Sequence, residues 1–323
     1  MSPIQRAMTA LASVVGLLTL FVLLGAGVPE PSPSMYSAAV IVAPQQLTPS
    51  AVAVVPTATA TPIPLHPTAT LARRDFNETT AVKVAPTSFL PGRGPALPGE
   101  FVYASRRADF YVGRGTFSPE QVIQLALKSE HALSYMQRRF AVTLNERISA
   151  GVYHTSLAPG RGTRGIAYTY GHTNVRIYYR ANEDMHNALV ILAHEFAHAL
   201  QAEAYGKDAQ SRSDLVLLEG LASWIAGEYW LSLSGAMSFQ ELAQKHYRAG
   251  YTSSLATMDR RNQNVAYDMW AGFVDYLTRT YGWDKFNTLY ANGRGRAAGS
   301  ANYVEIYGKS FQELQNEWYA TLR

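Results

Sequence analysis

The chain has 323 residues, a formal net charge of +4 and no cysteine. The missing thiols exclude disulfide frameworks, cysteine nucleophiles and thiolate metal sites, so any metal must be held by nitrogen and oxygen ligands. The modest positive charge comes without a dense Lys/Arg tract, which argues against a nucleic-acid partner.

The first 28 residues predict a signal anchor. Ala7 to Val28 carries no charged side chain, and as a helix it is long enough for a ~30 Å hydrocarbon core. A cleaved signal peptide ending near Gly25-Ala26-Gly27 is the alternative. Arg6 precedes the apolar stretch and the next basic residue is Arg73, a bias that puts the amino terminus inside and the rest of the chain outside the membrane. The catalytic part is therefore expected to be extracytoplasmic, or secreted if the segment is cleaved.

Thirteen of the sixteen prolines lie between Pro29 and Pro98. Residues 29–99 thus predict a Pro/Thr/Ala-rich disordered linker, with too few large apolar side chains to offset the entropy of ordering the backbone. A stalk, a cell-wall spacer and a glycosylated stem fit this composition equally. Residues 100–323 return to ordinary composition and predict one folded domain.

Within that domain, short aromatic and β-branched runs at Phe101–Tyr103 and Asp109–Val112 predict strands. Ser118-Pro119-Glu120-Gln121 forms a capping-box pattern opening a helix to about Phe140. Strands of one small sheet are expected at 147–155, 165–170 and 174–180. Helices dominate from about Glu183, with capping patterns at Ser238/Glu241 and Ser310/Glu313 and terminating glycines at Gly206 and Gly282.

The chemistry concentrates in His194-Glu195-Phe196-Ala197-His198, set in an apolar run that predicts a buried helix. Histidines four apart share one helix face, so both imidazoles can converge on one ion while Glu195 reaches a water beside it. A catalytic zinc uses three protein ligands and leaves a position for water, so a third ligand is required. Gln201 and Ala204 stand where a metzincin would have glycine and histidine, which rules that arrangement out. The best third ligand is Glu219, a lone carboxylate in the apolar stretch Leu215 to Trp224; the competing explanation is a glutamate paired with an arginine. Gly220 beside it predicts close approach of another helix.

His194–His198 followed by Leu218-Glu219-Gly220-Leu221-Ala222 resembles the gluzincin zinc metallopeptidases, in particular the peptidase MA-like group, over about residues 100–323. The resemblance implies an α+β, thermolysin-like catalytic domain: a small mixed sheet packed on the active-site helix, then a helical lobe. It implies Zn²⁺ held by His194, His198 and Glu219, with Glu195 as general base. It also implies an edge strand that pairs with extended substrate, expected at Asn174–Tyr179. The transition-state donor is expected to be Tyr267, with His246 as the other candidate. Some gluzincins place an aspartate four residues after the ligand glutamate to orient a zinc histidine. Ser223 stands there, and Glu228 and Asp268 are the candidate substitutes.

The expected function is hydrolysis of peptide bonds in a peptide or protein substrate outside the membrane. The alternative is an inactive, stalk-displayed metal-binding or adhesion module, and a third possibility is a structural surface protein with an accidental motif. His131, His154, His172 and His186 are expected to be surface or packing residues, with His172 in a turn that could line the cleft. Oligomeric state and cleavage specificity carry no sequence signal.

Overall fold

Five short strands set the frame: β1 (Glu100–Ala104), β2 (Ala108–Val112), β3 (Ile148–Tyr153), β4 (Gly165–Tyr168) and β5 (Asn174–Tyr178). They come from a computed structural model that describes residues 90–260 and 262–323. The anchor or signal segment 1–28 and linker residues 29–89 lie outside the described residues. Among the described residues no helix is long and apolar enough to cross a membrane.

The strands form one mixed sheet in the order β1-β2-β3-β5-β4. The three central strands pair in parallel, and β1 and β4 flank them as antiparallel edges. β2 and β3 are buried along their whole length, as expected of parallel strands covered on both faces. Ile148, Ala150 and Val152 point into the main core. On the opposite face Ser149 donates to the Pro95 carbonyl at 2.6 Å and Tyr153 to that of Pro98 at 2.9 Å. The end of the segment read as linker, from Leu90 to Pro98, is therefore docked on the sheet, and the folded unit includes it.

One expectation about the sheet is overturned. Asn174–Tyr179 was expected at the edge, yet β5 lies between β3 and β4, and the edge strand is β4. The two strands form an antiparallel hairpin with Gly165 opposite Ile177 and Tyr168 opposite Asn174. Which arm of a hairpin joins the existing sheet depends on long-range pairing, and both arms have similar local composition.

Helix α1 (Pro119–Phe140) begins on a complete capping box at Ser118 and ends with Ala141 in the left-handed region. Helix α2 (Met185–Tyr205) is capped by Asp184, whose side chain accepts from the His186 amide, and ends at Gly206 with φ +83°. Next comes α3 (Lys207–Arg212), a short helix, then α4 (Leu215–Ala226), capped by Asp214. Helices α1 and α2 pack on the sheet and on each other, and α4 lies against α2.

A helical lobe completes the domain: α5 (Glu228–Leu231), α6 (Phe239–Arg248), a 3₁₀ turn at Leu255–Arg260, α7 (Gln263–Tyr281), α8 (Trp283–Ala291), α9 (Tyr303–Tyr307) and α10 (Phe311–Ala320). The Ser310/Glu313 box is complete. At Ser238 only half forms: its hydroxyl accepts from the Glu241 amide, while the Glu241 carboxylate accepts from Met237 N instead. Helix α4 meets α7 so closely that a Cβ on Gly220 would come within 2.6 Å of the Trp270 carbonyl. Glycine there costs about 1 kcal/mol of helix propensity against alanine, and the close helix crossing explains it. A small mixed sheet with ten α-helices among the described residues is compatible with the expected α+β class.

Candidate metal centre

Helices α2 and α4 bring His194, His198 and Glu219 together. One ligand atom from each lies within 4.8 Å of the others, and all three side chains are buried. Glu219 Oε2 is 3.1 Å from His194 Nε2 and 3.4 Å from His198 Nε2. The spacing of four residues on α2 stacks the imidazoles on one face, with centroids 4.9 Å apart and planes at 86°, so both Nε2 atoms point at one spot.

The protonation state suits a cation. Burial lowers the His194 pKa to about 4, so the ring is neutral at pH 7. Burial would push Glu219 up, yet the facing His198 and His194 bring it to about 2. His198 Nε2 is buried and has no hydrogen-bond partner. Two imidazoles and a carboxylate are the nitrogen and oxygen donors that zinc accepts, and this buried group could hold a metal ion.

Glu195 lies on α2 beside the three. It is fully buried, and neither carboxylate oxygen has a hydrogen-bond partner. Burial, then the charge of Glu219, raises its pKa well above the usual carboxylate range. Edge strand β4 passes directly over it: a Cβ on Gly165 would collide with Glu195 Oε1 and come within 2.7 Å of the Ile191 side chain. Glycine at 165 leaves this space beside the carboxylate open.

The helical lobe supplies an aromatic wall. The Trp230 and Tyr267 rings stand 5.1 and 5.6 Å from the His194 ring, and they stack on each other at 6.2 Å. Burial raises the Tyr267 phenol well above its usual pKa, and the carboxylates of Glu219 and Glu195 add to the effect. Tyr267 thus stands beside His194. His246 Nε2 pairs with Asp268 Oδ2 at 2.8 Å.

The expected supports for the zinc histidines need correction. Glu228 is exposed, because it opens the short helix α5 at the surface. Asp268 is occupied by His246 and by Trp230 Nε1, which donates at 2.8 Å. Instead Ser223 Oγ lies 3.3 Å from His194 Nδ1, and Gln201 Oε1 lies 3.0 Å from His198 Nδ1. Ser223 was marked by its spacing from Glu219, four residues and hence one turn away. Gln201 lies three residues after His198 on the same helix, which brings its amide to His198 Nδ1.

The remaining described histidines stay apart. His131, His172 and His186 are exposed, and His154 caps a 3₁₀ turn through Nδ1. His186 pairs with Ser232 Oγ at 2.9 Å. Arg296, on the loop after α8, had no sequence signal; burial lowers its pKa, it feels the charges of Tyr290 and Glu219, and its Nε and Nη1 lack hydrogen-bond partners. Comparison of the chain with models of known protein families and with curated proteins finds no match.

Proposed function

We propose that the chain is a zinc-dependent peptide-bond hydrolase of gluzincin type, acting on peptide or protein substrates outside the membrane. The observation that carries this reading is Glu195. A carboxylate buried with both oxygens bare, beside a buried His-His-Glu cluster, is costly in a folding role and useful as a base.

His194, His198 and Glu219 would hold the ion. When bound, zinc would polarise the scissile carbonyl and lower the pKa of a coordinated water from 15.7 towards about 7. Glu195 would accept the proton from the attacking water and return it to the leaving amine; its raised pKa favours holding a proton between the two transfers. Tyr267 would donate from its phenol to the developing oxyanion, a role open to it because burial keeps it protonated. The free edge of β4 would pair with an extended substrate backbone, in place of the strand expected from sequence. The anchor and linker readings of residues 1–89 would make the domain an extracytoplasmic head on a stalk.

A second reading has one observation in its favour. The metal-binding side chains are at most 1% exposed, which suits an inactive module that keeps its ion for structure. Replacement of Glu195 by glutamine separates the two. The hydrolase reading expects Glu195→Gln to retain zinc and fold while turnover of an unfolded protein substrate falls about 10²- to 10⁴-fold. Wild-type turnover in that variant, or no hydrolysis by the metal-loaded wild type, would contradict it.

A further inference from the structure

We infer that Gln201 is the positioning residue of the metal centre, holding His198 by Nδ1 so that Nε2 turns toward Glu219, and tying that histidine to the backbone beside Glu219. The inference rests on the metal reading above for its purpose, and on hydrogen-bond logic for its geometry.

Gln201 is fully buried, so its amide must satisfy itself inside the protein. One end lies 2.8 Å from the Leu218 carbonyl. A carbonyl can only accept, so that end must be the NH₂ group. The other end is then the oxygen, and it faces His198 Nδ1 at 3.0 Å and the Tyr290 hydroxyl at 3.2 Å. An oxygen facing an imidazole nitrogen requires a hydrogen on that nitrogen. Nδ1 therefore carries a proton, and Nε2 is the ring nitrogen turned toward Glu219 Oε2, 3.4 Å away.

The same side chain also sets spacing. Leu218 precedes Glu219, so the bond from Gln201 joins the helix of the two histidines to the helix of the glutamate one residue from the ligand. Gln210 secures the clamp from outside. Its NH₂ donates to the His198 carbonyl at 2.7 Å and lies 3.5 Å from Gln201 Oε1, and its own oxygen accepts from Thr169 Oγ1 at 2.6 Å. Thr169 follows β4 directly, so the edge strand, α3 and the ligand helix are joined through two amides. A neutral amide does here what a carboxylate often does for a metal-bound histidine, orienting the ring without adding charge.

The test uses the full chain with ¹⁵N-labelled histidine rings. In wild type, His198 Nδ1 is expected to carry a proton held in a hydrogen bond; an unprotonated Nδ1 overturns the inference and needs no variant to be read. Gln201→Met keeps the length of the side chain but neither polar end. It is expected to release Nδ1 and raise the zinc dissociation constant about 10- to 100-fold in chelator competition. Gln201→Glu keeps an acceptor for Nδ1 and, when protonated, a donor for Leu218, and is expected to recover most of that loss. Equal zinc affinity in wild type and Gln201→Met, or equal loss in both variants, would overturn the positioning role. A wild type that binds no zinc yet holds Nδ1–H would remove the hydrolase reading while supporting the hold on His198.

Discussion

Two of the buried ionisable clusters among the described residues differ in whether they are complete by themselves. At the start of β2 and β3, Asp109 Oδ1 accepts from Arg147 Nε and Oδ2 from the Gly94 amide, each at 2.8 Å. The Arg147 guanidinium goes on to the carbonyls of Leu90, Ser105, Arg106 and Ala108. The acid and the base neutralise each other, and their bonds fasten the 90–98 segment to the sheet. In the candidate metal centre, Glu195 and His198 instead bury polar atoms without a hydrogen-bond partner among the described residues. A cluster that closes on itself holds the fold, whereas bare atoms in convergent positions are what the proposed function would require.

The contrast can be broken from either side. Arg147→Ala leaves Asp109 buried without its counter-charge and is expected to destabilise the domain by about 3–5 kcal/mol in denaturant unfolding. Zinc stoichiometry of the remaining folded protein should be unchanged, since Arg147 pairs with Asp109 on the sheet; loss of zinc there would join what the contrast separates. Tyr267→Phe should act the other way, lowering kcat by about 10²- to 10³-fold with KM and stability little changed. Equal kinetics would shift the donor role elsewhere.

A smaller effect concerns stability alone. Glu195 has a raised pKa in the folded, metal-free chain, so above the ordinary glutamate value the folded state keeps a proton that the unfolded chain has released. Its contribution is fully present below the unfolded pKa and is lost as pH rises, by about 1.4 kcal/mol per pH unit until the folded pKa is passed. Glu195→Gln removes this dependence. With chelator present, the variant should therefore gain on wild type as pH rises above the ordinary glutamate value of about 4.3, and parallel pH profiles would contradict the bare-carboxylate description.

The metal centre was more legible in the sequence than the sheet around it. His194, His198 and Glu219 stand out because ionisable groups interrupt apolar helices, and Gly220 because it breaks a helix pattern where a neighbour must approach. Helix α1 was readable from Ser118 and Gln121, since a capping box is a local contact. The edge position of β4 was not, because strand order depends on pairings far apart in sequence. Nor were the roles of Gln201 and Gln210. An amide has no charge to mark it in an apolar run, and its partners Leu218, Tyr290 and Thr169 come from three other segments. Asp268 and Glu228 drew attention as carboxylates, yet the histidines are supported by an amide and a hydroxyl.

The measurement that bears most directly on the central claim is the metal content of the full chain after exhaustive dialysis, for wild type and Glu219→Ala. About one zinc per wild-type chain, with most of it lost from the variant, is the expected result. A wild type that retains no zinc, or a variant that retains as much, would contradict it.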